Sequence, residues 1–191
     1  MRAWASSGDF LALRTRAFVL LCWSSGLRVS EALALDNGQI LEQPIGRSVT
    51  IRSTAYLRAG QSTATSSGAF AIPKTARAAL REYMLEGVRL GVLELASGPL
   101  FVAIKGRRAQ RISVRSAQHA WTELQARAGL EQHYRTDDLR YDAIVRFSAA
   151  ARGDVGRVQA FGRFHDVRTA ARYVRTSPMS LAELSGIAAR A

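Results

Sequence analysis

Cysteine is almost missing: Cys22 is the single example in 191 residues. No internal disulfide can form, which excludes the disulfide-stapled secreted scaffolds. Histidine is scarce as well. His119, His133 and His165 stand in no metal-ligand spacing, so neither a structural zinc site nor any other cofactor is expected. Long apolar runs are absent; Ala17 to Trp23 is far too short to cross a bilayer. That run leads into Gly26-Leu27-Arg28 and not into a small-residue cleavage pattern, so it does not read as a signal peptide. No long basic amphipathic helix with exposed aromatics stands out, which demotes a membrane surface as partner. The expectation is a soluble cytoplasmic protein of one domain, or one domain plus a tail.

What is abundant is positive charge. Lys and Arg number 27 against 15 Asp and Glu, a formal net charge of +12. Such an excess on a small domain suits a polyanion, because each neutralised phosphate releases counterions. Lys74 and Lys105 are the two lysines, and the other basic residues are Arg. Arginine presents a planar fork that meets a phosphate through two parallel hydrogen bonds.

The apolar pattern predicts a helix-rich chain with one small antiparallel sheet in the N-terminal third, an α+β fold. Phe10, Leu13, Ala17, Leu20 and Leu21 recur at helical spacing over 9–23. Ser30 then caps a short helix holding Glu31, Ala32, Leu33 and Leu35, and Asp36-Asn37-Gly38 marks a turn. From Arg47 to Pro73 the period becomes two, with Val49 and Ile51, then Tyr56 and Leu57, then Phe70 and Ile72. The Ser/Thr-rich stretch 60–68 reads as a long hairpin tip between them. Pro73 opens a helix to about Leu90, with Ala76, Leu80, Met84 and Val88 on one face. Leu100 to Ile104 is a short apolar run before a basic loop, Lys105-Gly106-Arg107-Arg108. Four helices follow: one capped by Ser113, one over 137–151, one over 154–161 and one over 168–173. After Ser177-Pro178 a last helix carries Leu181, Leu184 and Ile187.

Cutting a DNA strand without metal needs groups that converge from separate segments. Charge builds on the non-bridging phosphate oxygens, and two arginines make a natural clamp for it. A tyrosine hydroxyl can form a covalent phosphate ester. A proton donor must assist the leaving 5′ oxygen. Gly26-Leu27-Arg28-Val29-Ser30-Glu31-Ala32-Leu33 resembles the first arginine box of the tyrosine recombinase (phage integrase) family. Asp137-Asp138-Leu139-Arg140-Tyr141 resembles that family's His-x-x-Arg box. Phe161-Gly162-Arg163, Thr169 and Tyr173 resemble its Leu-Gly-His, Thr-Thr and nucleophilic Tyr. The likeness runs over residues 9–176, the catalytic domain alone, in a chain that is complete or an excised fragment. The expected organisation is a catalytic domain over 1–176 and a C-terminal helix over 177–191, packing in cis or on a neighbouring protomer.

The resemblance implies that Arg28 and Arg140 hold the scissile phosphate and that Tyr173 attacks it. It implies duplex DNA as partner, a homo-oligomer on DNA with or without accessory proteins, and a bacterial, DNA-associated setting. Tyr134 and Tyr141 compete as nucleophiles, and both lie on the wrong side of the Arg140 box. The pattern also departs from the family in three places. Asp137 replaces the first histidine of the His-x-x-Arg box. The family's hairpin lysine has no counterpart, since no Lys occurs between Met1 and Ala71; Arg52 or Arg58 can stand in electrostatically but is a poor general acid. The Gly-to-Tyr spacing is one residue long. Counting back from Tyr173 places Phe164 at the second histidine, between Arg163 and His165, and chemistry favours His165 as the donor to a phosphate oxygen. Lys105, Arg107, Arg108, Arg111 and Arg163 are expected on the DNA backbone. These departures also admit a second reading, a catalytically degenerate DNA-binding regulator or accessory subunit on the same fold.

Overall fold

The computed structural model describes residues 10–42, 49–51, 70–105 and 108–176. Helix α1 (Phe10–Ser25) is buried nearly all round, including Phe10, Ala17, Phe18, Leu21 and Cys22. A helix apolar on every side belongs in the middle of a fold. It packs on α3 (Lys74–Arg89) and α5 (Thr136–Ala150), and more lightly on α4 (Val114–Arg127). Its rings interlock with those of α3 and the following strand. Phe10 stacks on Tyr83 at 5.1 Å, Tyr83 on Phe101 at 5.7 Å, and Phe18 meets Phe101 edge-on at 5.7 Å. One charge is buried in α1: Arg14 Nη1 donates to the Val102 carbonyl at 2.9 Å. The Val102 amide in turn donates to Tyr83 Oη at 3.2 Å. Both polar groups of one strand residue are thus satisfied by side chains, as buried backbone requires.

The short helix α2 (Val29–Leu33) has its N-cap at Arg28, two residues before the expected Ser30 cap. Glu31 makes the difference: its carboxylate accepts from the Arg28 amide at 2.9 Å and so caps the first turn. Strands β1 (Ile40–Glu42), β2 (Val49–Ile51) and β3 (Phe70–Ile72) form an antiparallel sheet, with Ile40 opposite Ile51 and Val49 opposite Ile72. The expected strands at Val49–Ile51 and Phe70–Ile72 are present, and β1 joins them. Tyr56, Leu57 and the hairpin tip lie outside the described residues.

The expectation of a single sheet needs one addition. Strands β4 (Val102–Lys105) and β5 (Arg108–Arg111) make a second antiparallel pair, with Val102 opposite Arg111 and Lys105 opposite Arg108. The two ends of the stretch read as a basic loop, Lys105 and Arg108, are therefore paired strand residues. The buried face of α3 also differs from the expected one. Ala76, Ala79, Leu80 and Tyr83 are buried, whereas Val88 is 40% exposed. Tyr83 reaches the core because its hydroxyl finds the Val102 amide there.

Ser113 Oγ accepts from the Ser116 amide at 3.1 Å and caps α4 as expected. Gln125 then pins the following loop: its side chain donates to the Tyr134 carbonyl at 3.0 Å and accepts from the Tyr134 amide at 2.7 Å. Helix α6 (Val155–Gly162) is capped by Asp154, and α7 (Val167–Thr176) packs on α5 and α6. Two hydrophobic clusters result. The larger surrounds α1 and reaches Leu27, Leu33, Tyr83, Phe101, Trp121 and Leu139. The smaller holds Ile144, Val158 and Ala170, with Phe147, Phe161, Phe164 and Tyr173 partly buried against it. Among the described residues no helix is long and apolar enough to cross a membrane, and no group of His, Cys, Asp and Glu is arranged to hold a metal.

Candidate active site

The turn between α1 and α2 meets the C-terminal end of α6 where the two clusters abut. Gly26 sits in this turn with φ +60, a conformation open to glycine at little cost. A side chain there would also press on Phe161, 3.0 Å from the position of a Cβ. The turn is clasped to α5 from outside. Trp23 Nε1 and Arg146 Nε each donate to Asp142 Oδ2 at 2.7 Å, and the Arg146 guanidinium lies 3.9 Å from the centre of the Trp23 ring.

Three arginines from three segments gather around one buried carboxylate. Arg28 Nη1 donates to Glu31 Oε1 at 2.6 Å. Arg163 Nη2 lies 3.4 Å from Glu31 Oε2, and Arg140 Nη1 lies 4.0 Å from the same oxygen. Arg140 is nearly buried, 7% exposed, and is held by main chain from both sides. Its Nη1 donates to the Gly26 carbonyl, and its Nη2 donates to the Gly162 carbonyl at 2.5 Å. Arg163 Nη2 donates to the same Gly26 carbonyl at 2.5 Å, and its Nη1 to the Phe161 carbonyl at 2.9 Å. Arg28 is the most open of the three, with 46% of its side chain exposed.

Three guanidiniums against one carboxylate leave excess positive charge in a partly dry place. Burial pulls the pKa of Arg140 down to about 10, and the like charges of Arg28 and Arg163 pull the same way; Glu31 and Tyr173 push it back up. Arg140 is still cationic at neutral pH. An arriving anion would relieve the repulsion among the three side chains.

Tyr173 stands beside this cluster on α7. Its ring stacks on Phe164 at 5.2 Å and meets Tyr141 at 5.5 Å. The Phe164 ring in turn lies 5.3 Å from the Arg140 guanidinium carbon. The structure therefore brings together Arg28, Arg140, Arg163 and Tyr173. Other expected residues stand elsewhere. Asp137, one turn before Arg140, is exposed and forms no ion pair with the three arginines among the described residues. His165 is exposed, and its carbonyl accepts from Gln159 Nε2 at 3.4 Å. Arg163, and not His165, points into the cluster. Arg111 is tied into the fold: Nη1 donates to the carbonyls of Leu33 and Leu35 at 2.7 and 2.9 Å, and Nη2 donates to Asp36 at 2.5 Å. Lys105 and Arg108 form the last pair of the β4–β5 hairpin, while Arg52, Arg58 and Arg107 lie outside the described residues.

Sequence reasoning missed Glu31 as the hub of the cluster, although it stands in the motif that carries Arg28. The available signal was a carboxylate three residues after an arginine in a short helix, able to cap the turn and pair with the side chain at once.

Comparison with known proteins gives the chain's family and fold. The model of the phage integrase family matches residues 3–179. The crystal structure of XerH site-specific recombinase bound to palindromic difH substrate, a post-cleavage complex, superposes with a TM-score of 0.67 at 17% identity. The match covers 94% of this chain and 47% of that one. The crystal structure of XerA recombinase gives a TM-score of 0.64 at 20% identity, covering 90% of this chain and 55% of that one. The chain thus spans about half the length of these two recombinases. No curated protein sequence matches it. With the family model matching nearly the whole chain and the fold shared with tyrosine recombinases, the chain belongs to the phage integrase family.

Proposed function

We propose that this chain cuts and rejoins duplex DNA at a specific site through a 3′-phosphotyrosine intermediate. The observation that carries this reading is the gathering of Arg28, Arg140 and Arg163 around Glu31, with Tyr173 linked to Arg140 through the Phe164 ring. Arg28 and Arg140 hold the non-bridging oxygens of the scissile phosphate. Arg163 raises the local potential and braces the turn that carries Arg28. Tyr173 Oη attacks phosphorus and its proton passes to solvent water. The new phosphorus–oxygen bond forms as the bond to O5′ breaks, and O5′ leaves with the electron pair and takes up a proton. A phosphodiester is exchanged for a phosphotyrosyl ester, so rejoining by the reverse attack needs no nucleotide. The charge that builds on phosphorus in the transition state is met by guanidiniums already in place.

Asp137 and His165 are exposed, and no Lys occurs between Met1 and Ala71. A missing proton donor costs a factor of about 10²–10⁴. The reading therefore includes slow cleavage, or cleavage hastened by a partner or by a second copy assembled on DNA. A nicked suicide duplex of the target sequence tests it, because loss of the 5′ fragment traps the covalent complex. The wild-type protein is expected to give a protein–DNA adduct stable to denaturant. Tyr173→Phe is expected to bind the duplex equally and give none. Trapping that survives the substitution would assign another nucleophile. Binding should also weaken steeply with added salt, as several phosphates are neutralised.

A further inference from the structure

We infer that Tyr141 and Phe164 form a two-sided aromatic seat that holds the Tyr173 ring beside Arg140 before DNA arrives. The inference deepens the recombinase reading and rests on it. Tyr173 is carried by α7, which packs on α5 and α6. One side of the seat comes from α5 and the other from the turn that follows α6. Tyr141 directly follows Arg140 on α5, so clamp and seat are neighbouring residues of one element. Its ring centre lies 5.5 Å from that of Tyr173 at an interplanar angle of 45°.

Phe164 supplies the other side, 5.2 Å away at 25°, and its place is fixed by the main chain. Arg163 ends α6 in the left-handed region, φ 52, and turns the chain back over the helix end. The Phe164 amide donates to the Gln159 carbonyl at 3.0 Å, and Gln159 Nε2 donates to the Phe164 carbonyl at 3.2 Å. Gly162 makes room: a Cβ there would lie 2.2 Å from Phe164 Cε2. Because the Phe164 ring also covers the Arg140 guanidinium, at 5.3 Å, the same ring orients nucleophile and clamp. A stacked or tilted aromatic pair shifts an equilibrium by roughly three- to tenfold, so two together favour the docked ring decisively over a free one. Tyr141 and Phe164 are thus positioning residues, acting on phosphorus through Tyr173.

The test has two arms. In the first, the DNA-free protein carries 3-fluorotyrosine at its five tyrosines, and Tyr173→Phe identifies the fluorine signal of Tyr173. Phe164→Leu is expected to move that signal and leave the one from core Tyr83 in place, which also reports an intact fold. A Tyr173 signal that does not respond overturns the seat. In the second arm, single-turnover trapping on the nicked duplex is expected to slow roughly three- to tenfold in Phe164→Leu and in Tyr141→Leu, with unchanged duplex affinity. Phe164→Tyr and Tyr141→Phe, which keep the rings, should restore the rate. Slowing that tracks lost affinity, or that the ring-keeping variants share, overturns the seat. A wild-type protein that never forms the adduct, while the fluorine signal still moves, overturns the recombinase reading and with it the catalytic use of the seat.

Discussion

The hydrophobic cluster around α1 and the one beneath α7 differ in how completely they are closed. The first buries Leu21, Leu27, Tyr83, Leu100 and Phe101 almost entirely and locks β4 to α1 and α3 through Arg14 and Tyr83. The second has three fully buried residues, Ile144, Val158 and Ala170, and is completed by partly exposed rings. The site straddles the seam between them. The Gly26 carbonyl, on the first cluster's side, and the Gly162 carbonyl, on the second's, are bridged by the Arg140 guanidinium. Arg140 therefore spans the seam, while Tyr173, the proposed nucleophile, rides on a helix with little apolar burial of its own. Elements with few buried contacts open at lower free energy than the core.

Substitutions can break that contrast, and the largest effect is expected at its firm end. Leu21→Ala should cost about 3–5 kcal/mol in denaturant unfolding, while Ile144→Ala should cost about 2–3 kcal/mol because its half-open neighbours can collapse into the space. Equal losses, or slower amide exchange in α6 and α7 than in α1 and α3, would erase the distinction. Arg140→Lys comes next. A lysine cannot satisfy the Gly26 and Gly162 carbonyls together, so the seam loosens and adduct formation should fall by a factor of about 10²–10³ in single-turnover trapping. A rate within a few-fold of wild type would show that the bridge is dispensable.

The phenols sharpen the same comparison. Burial pushes the Tyr83 hydroxyl up to about 12, partly offset by the Val102 amide and Arg14. The folded state thus keeps a proton that the unfolded chain gives up near pH 10. Stability from this residue is full below pH 10 and lost as pH rises from 10 toward 12, about 2–3 kcal/mol in all. Urea unfolding at stepped alkaline pH should show this decline, and Tyr83→Phe should flatten it. The smallest effect is expected outside both clusters, where Arg146→Ala removes the exposed clasp on Trp23 and Asp142. That loss should be about 0.5–1 kcal/mol by thermal or denaturant melting.

Much of this arrangement was legible in the chain. Arg28 and Arg140 were readable because each sits in a local string with its own helix signals, and Tyr173 because it lies 33 positions after Arg140 and four after Thr169. The reading failed where geometry depends on the third dimension. Glu31 looks like any helix carboxylate until Arg140 and Arg163 arrive from far along the chain. The extra residue between Gly162 and Tyr173 left Arg163, Phe164 and His165 as rivals, and the left-handed turn at Arg163, which the chain's sequence does not announce, sets their directions. Strand β5, Arg108 to Arg111, carries no apolar alternation, because β4 supplies the pair's buried face at Val102. Strand β1 is three residues long, too short for a period to show.

Peptide mapping of the trapped complex by mass spectrometry tests the central claim most directly. After nuclease and protease digestion, the residual nucleotide should be found on the peptide containing Tyr173. A nucleotide on Tyr141 or Tyr134, or a target duplex that never becomes attached to the wild-type protein, would contradict the account.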